Sequence, residues 1–211
     1  MARRLRLNRK FWWKAAAIAA APLCLLNLSI AFFGGSAVFP LSPFFVPEKA
    51  HALKLYAKHR FHCVWSGDAD LDPIIKRAEK KYGLPSGLLA SLVEVESEGR
   101  VHRISPAGAM GPGQLMPGTA ELMNVEDPFD PETAIDGSAR YLAEQYRARR
   151  DLRLAIASYN AGPGNVGSVV PRNGETEYYV TKVLAAYERR KRAGLRPTSI
   201  VEVKAMLRPR E

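Results

Sequence analysis

The segment from Ser86 to Gly99, SGLLASLVEVESEG, constrains this chain most, because it is an amphipathic helix pattern with a carboxylate set into its apolar stripe. At about 100° per residue, Leu89, Leu92, Val93 and Glu96 share the i, i+3, i+4, i+7 face that a globular domain buries. Ser86 is a suitable N-cap and Gly99 a stop, while Glu94 and Glu98 turn to the far side. A glutamate is almost never fully buried without a partner. On an apolar face its carboxyl is disposed to keep a proton near neutral pH, as a general acid must. The helix by itself leaves a second reading open, in which Glu96 reaches solvent past Gly99 or pairs with Arg100 or Arg103.

The rest of the chain follows the same period. Asp72-Pro73 opens IIKRAEKKY, which stops at Gly83 ahead of Leu84-Pro85. Thr119 to Met123 is a short helix, Pro131 to Arg149 a longer one, and Asp151 caps LRLAIASY. A last helix covers Glu177 to Arg192, with Tyr179, Val183 and Tyr187 at helical spacing. Residues 48–67 hold a further short helix, KAHALKLYAKHR, and Arg100 to Gly118 is a Gly- and Pro-rich loop. No run alternates with period two for long enough to make a strand, so the fold class is mainly α.

Charge and hydropathy organise the ends. The 211 residues carry 31 Lys and Arg against 21 Asp and Glu, a formal charge of +10. Arg3, Arg4, Arg6, Arg9, Lys10 and Lys14 precede any acid, and the remaining excess includes Arg189 to Arg192 and the tail to Arg210. A mildly basic domain suits an anionic polymer such as cell-wall glycan, and nucleic acid is not expected as a partner. Ala15 to Phe33 has no charge across 19 residues, close to the roughly 20 that span a bilayer core. Trp12 and Trp13 stand where an interfacial belt would be, and the positive flank places the N-terminus in the cytoplasm. The segment reads as an uncleaved anchor; its rival is a signal peptide cut at Gly35-Ser36-Ala37, and either way the rest is exported to the periplasm.

The expected organisation is therefore a basic cytoplasmic flank over 1–14, a transmembrane anchor or signal segment over 15–33, and a linker and pre-domain segment over 34–70. A catalytic domain follows over 71–190, then a basic tail over 191–211. Pro40, Pro43 and Pro47 make the start of the linker a semi-rigid spacer. Cys24 lies in the apolar segment without the small residues a lipidation site needs, and Cys63 is then alone, so no disulfide framework exists. His59, His62 and Cys63 are too crowded for a zinc site, and no metal or cofactor is expected.

Two loops carry dense chemistry. Ser105 to Gln114, SPAGAMGPGQ, packs three glycines before an amide and Leu-Met-Pro, which lets backbone approach a ligand closely. Ser158 to Gly164, SYNAGPG, sets an aromatic hydroxyl and an amide at a helix end. Taken singly, a tyrosine there is more often a core residue with a satisfied hydroxyl.

Four blocks, in order, resemble the soluble lytic transglycosylase family, whose domain is similar to goose-type lysozyme: Glu96-Ser97; Ser105 with GAMG, Gln114 and LMPGTA; SYNAGPGNV; and Glu175-Thr176-Glu177-Tyr178-Tyr179-Val180. The resemblance covers about residues 72–190. It implies a compact lysozyme-like helical domain, here behind the single N-terminal membrane segment read from hydropathy, acting on peptidoglycan glycan strands. It also implies that Glu96 is the single catalytic acid/base, and that Ser105, Gln114, Met116, Tyr159, Asn160 and Glu175 line the glycan cleft, Tyr159 near the carboxyl. Two departures stand on the expected cleft wall. Pro112-Gly113 replaces the usual Leu-Met before the glutamine, and Glu98 to Arg103 replaces the Asn-Pro that follows Glu-Ser.

Glycosidases ordinarily use two carboxylates. Glu94 and Glu98 face away from Glu96 and are not the second; the resemblance implies that Glu96 alone serves as acid and then as base, giving 1,6-anhydromuramoyl ends without water. A hydrolytic muramidase would need Asp127, Asp130 or Glu175 as the second acid. Readings from other classes are a catalytically silent glycan-binding module and an anchored scaffold with a basic tail. A small anchored enzyme also fits local opening of the wall for a secretion or other envelope-spanning machine.

Overall fold

The computed structural model describes residues 9–62 and 70–194, and side chains within 14–60 and 70–193 apart from those of 15–17 and 19. The basic flank before Arg9, the side chains of Trp12, Trp13 and His62, Cys63, and the tail beyond Gly194 lie outside them. Among the described residues eight α-helices follow in order: α1 (Arg9–Gly34), α2 (Val46–His62), α3 (Asp72–Tyr82), α4 (Leu88–Ser97), α5 (Pro117–Leu122), α6 (Pro131–Arg149), α7 (Leu152–Ala161) and α8 (Glu175–Gly194). Among the described residues the extended backbone amounts to two isolated antiparallel bridges, Ile104 with Met110 and Met110 with Leu115. The mainly helical expectation holds.

Helices that carry their own caps start where the sequence places them. Asp151 Oδ1 accepts the Leu154 N–H at 2.9 Å and opens α7, and α6 runs between the expected bounds. Two other starts differ. α4 begins at Leu88, because the Glu79 carboxylate of α3 accepts the N–H groups of Gly87 at 2.8 Å, Leu89 at 2.9 Å and Ala90 at 3.3 Å. That cap comes from another helix, and Ser86 is exposed. α8 begins two residues earlier than expected, since Asn173 Oδ1 accepts the Thr176 N–H at 2.8 Å.

The chain divides into two units. Unit 1 comprises Met1–Ile74 and Glu96–Ser138. Its core joins Ile30 of α1 and Ala52 of α2 to Ile104, Met110 and Phe129, with Val38 and Tyr56 packed around them. The end of α1 is bonded into that core. Gly34 accepts the Ile104 N–H at 3.1 Å, and the Ser36 hydroxyl donates to the Ile104 carbonyl at 2.6 Å. A Cβ on Gly34 would lie 2.6 Å from that of Ile104, so only glycine allows the approach.

This packing sets a polar cluster within the uncharged run. Asn27, in the middle of the uncharged run, is fully buried, donating from Nδ2 to the Pro40 and Ser42 carbonyls at 3.0 Å and accepting from Lys49 Nζ at 2.8 Å. Burial pushes the Lys49 ammonium below the usual lysine value. Ala15 to Leu26 precede that polar knot, and such a length of helix rises about 18 Å against the ~30 Å of a hydrocarbon core. Among the described residues no helix is long and apolar enough to cross a membrane. The stretch expected as a semi-rigid spacer folds back on unit 1 through Ser36, Val38, Pro40 and Ser42.

Unit 2 comprises Ile75–Val95 and Ala139–Glu211. α7 packs on α8, burying Ala155, Ile156, Val180 and Val183. Leu88, Leu89 and Leu92 of α4 are fully buried as well. On the opposite face Glu94 accepts from Arg190 Nη2 at 2.8 Å and from Arg189 Nη2, tying α4 to α8.

Because Glu79 is itself buried and serves three N–H groups, Glu79→Ala should lower unfolding stability by about 2 kcal/mol, read as a fall in the urea midpoint with unchanged slope.

Candidate active site

Glu96 stands on the last turn of α4, one residue before its end. The other members of its stripe are dry: Leu89 and Leu92 are 0% exposed and Val93 2%, whereas Glu96 is half-buried. The carboxylate therefore lies at the edge of the apolar face rather than inside it. Past Ser97 the chain reverses, with Glu98 at φ 59° and Gly99 at φ 77°. The Arg100 N–H and Nε–H both reach back to the Ser97 carbonyl, at 3.1 and 3.0 Å. Arg100 and Arg103, the candidate partners of Glu96, approach the exposed Glu98 at 3.4 and 3.9 Å.

In the same unit, Ser105 organises the glycine loop. Its Oγ accepts from the N–H groups of Ala107 at 3.2 Å and Ala109 at 2.9 Å. Met110 and Leu115 exchange both backbone bonds, at 2.9 and 3.0 Å, which closes the loop. Gln114, held at φ 51°, turns its amide inward, donating from Nε2 to the Gly111 carbonyl at 2.8 Å and the Arg103 carbonyl at 3.2 Å. The residue expected to bind glycan thus spends its donors on shaping the loop. Met116 is half-buried at the N-cap of α5. Pro112 and Gly113 are buried within the loop.

The loop rests on the segment ahead of α6. Gly111 donates to the Arg103 carbonyl at 2.9 Å and sits at φ 72°, where a Cβ would lie 1.8 Å from the Pro128 carbonyl oxygen. Asp127 holds that segment from both sides. Its Oδ1 accepts the Phe129 N–H at 3.0 Å, and its Oδ2 is 2.7 Å from Nδ1 of the buried His59 on α2. Asp130 caps α6, accepting from the Thr133 N–H and hydroxyl at 2.9 Å each. The His59–Asp127 pair escaped the sequence reading because its members lie 68 residues apart. The only local signal was Asp127-Pro128, a turn-opening dipeptide.

In unit 2, Tyr159 is 8% exposed and its ring lies 5.1 Å from that of Tyr141. Burial, with the Glu144 carboxylate beside it, pushes the Tyr141 hydroxyl above the usual tyrosine value. Asn160 is exposed on the final turn of α7, which Gly162 ends at φ 81°. Arg149 straps the following loop, donating to the Pro163 carbonyl at 2.6 Å. Glu175 is exposed at the start of α8.

The Gly111 contact makes a sharp expectation. Gly111→Ala combines a backbone clash with a left-handed φ and should cost at least about 2 kcal/mol, checked by thermal unfolding; Gly164→Ala, which meets nothing within 4 Å, is the control.

Comparison with known proteins fits this arrangement. The family model described as "Transglycosylase SLT domain" matches residues 73–182, just over half of the chain. A membrane-bound lytic murein transglycosylase F 2 of Alkalilimnicola ehrlichii is 38% identical over 98 residues, 43% of this chain and 22% of that protein. A transglycosylase of Enterobacteria phage PRD1 is 38% identical over 88 residues, 42% of this chain and 33% of that protein. The chain thus matches a third or less of these relatives' length. Among solved structures, an inactive mutant of the lytic transglycosylase Slt of Pseudomonas aeruginosa superposes with a TM-score of 0.52 at 24% identity, over 71% of this chain and 31% of that one, a likeness of fold. Through residues 73–182, which hold Glu96 and both dense loops, this chain belongs to the transglycosylase SLT domain family.

Proposed function

We propose that the protein is a peptidoglycan lytic transglycosylase, cleaving the β-1,4 bond between N-acetylmuramic acid and N-acetylglucosamine without water. The observation that carries this reading is Glu96: a half-buried carboxylate at the rim of a dry helix face, inside the family domain. Protonated, it donates to the glycosidic oxygen as the C1–O bond breaks. The substrate's own acetamido oxygen closes on C1 and spreads the positive charge. Glu96, now a carboxylate, takes the proton of the muramoyl 6-hydroxyl, whose oxygen bonds to C1 as the acetamido group leaves. Glu96 ends protonated, ready for the next cut. Such work needs a carboxyl that releases and regains its proton near the working pH, which an edge of an apolar face favours.

The partners of Asp127 and Asp130 weigh against either as a second acid. Asp127 is engaged by His59 and Phe129, and Asp130 by Thr133, so both carboxylates have structural employment. In this reading Ser105 and Gln114 shape the glycan loop, and Met116, Tyr159, Asn160 and Glu175 keep the glycan-binding roles that the resemblance implies. The substrate lies on the wall side of the inner membrane, in the periplasm, with the N-terminal segment as tether. An envelope-spanning or secretion machine is a fitting client for a cut made so close to the membrane.

Glu96→Gln should leave the unfolding transition unchanged and lower turnover of purified sacculi about 1,000-fold or more. Mass spectrometry of wild-type products should show anhydro ends, one water lighter than reducing ends. Asp127→Asn and Asp130→Asn should still give anhydro ends; reducing ends from the wild type would instead establish a muramidase.

A further inference from the structure

Nearly all of the formal charge of +10 belongs to the first 60 residues, which hold ten Lys and Arg and a single acid, Glu48. These residues precede the family domain at 73–182. The same stretch exposes most of the large apolar side chains that face solvent. On α1, Ile18, Leu25, Leu28 and Phe32 recur at spacings of 7, 3 and 4, one helix face, and Phe32 is 82% exposed. In the strap that follows, Phe39, Leu41, Phe44 and Phe45 are exposed too. Phe45 is held at φ 58°, a costly conformation for a bulky residue, and half of its surface stays in solvent.

Between α1 and α2 runs an apolar groove of about 680 Å³, lined by Phe32, Phe33, Leu53, Tyr56 and Ala57, with Arg60 among its walls. Lys54 and Arg60 on α2 are exposed. An apolar slot walled partly by a guanidinium matches an amphiphile whose head is anionic. Apolar side chains beside a dense positive field are the paired signals that hold a peripheral protein on an acidic bilayer.

We propose that the α1–α2 face of unit 1 is a docking surface for an anionic phospholipid bilayer, with one acyl chain in the groove and its phosphate on Arg60. The exposed stripe of α1 and the phenylalanines of the strap lie at the headgroup boundary, and the helix rests in the membrane surface rather than crossing it. The site rests on the membrane-tether part of the function proposed above and not on the cleavage chemistry. It gives the tether a lipid preference, because neutral headgroups offer the exposed Arg60 and Lys54 no anionic partner.

Co-sedimentation of the full chain with vesicles tests it, using phosphatidylcholine alone and phosphatidylcholine containing 30% phosphatidylglycerol. The expected result is at least tenfold tighter binding to the anionic vesicles, weakened by raised salt. Phe32→Ser combined with Arg60→Gln should weaken that binding about tenfold while turnover of soluble glycan fragments is unchanged. Binding to neither vesicle overturns both the docking site and the tether. Equal binding to both vesicles, or wild-type binding by the double variant, overturns the docking site and leaves a plain apolar tether.

Discussion

The carboxylate of Glu79 fixes where the acid-bearing helix begins. Three N–H groups at the start of α4 have no intrahelical acceptor, and Glu79 receives all three from α3. A negative charge there also opposes the positive end of the helix dipole. With the start pinned at Leu88, the 3.6-residue period determines the rest: Leu89, Leu92 and Val93 fall on the dry side, and Glu96 comes to its edge on the final turn. A slip of one residue would rotate Glu96 by about 100°, away from that face. The placement of the candidate acid therefore depends on a residue 17 positions earlier that does no chemistry itself.

The glycine loop depends on a comparable economy within unit 1. Its shape comes from inward-turned polar groups, Ser105 Oγ and Gln114 Nε2, and from a backbone packed so closely on Pro128 that Gly111 has no room for a side chain. His59 and Asp127 brace the far side of that contact. Residues that a motif marks as ligand-binding thus hold the loop's own backbone in shape. Tyr159 is likewise buried, its ring against that of Tyr141, next to an exposed Asn160.

The segment before the family domain takes part in the fold. Ile30 and Ala52 share a core with Ile104, Met110 and Phe129, and Ile104 exchanges backbone and hydroxyl bonds with Gly34 and Ser36. The polar knot of Asn27 with Lys49 interrupts what looks, residue by residue, like an uninterrupted apolar span. Hydropathy counts side chains one at a time and so overlooks an amide whose partners arrive from 13 to 22 residues downstream.

Helical period, local caps and motif order were legible in the sequence alone. Asp151 and the 3.6-residue repeats act over a few residues, and they placed α6 and α7 within their observed bounds; Glu96 was identifiable because a carboxylate on an apolar stripe is a local contradiction. What only the tertiary structure decided were the interactions that close long loops. Glu79 capping α4, His59 bracing Asp127, and the end of α1 packing on Ile104 and Phe129 each join residues that the linear pattern separates. Their energy is realised only after the chain has brought the partners together, so no short-range signal announces them.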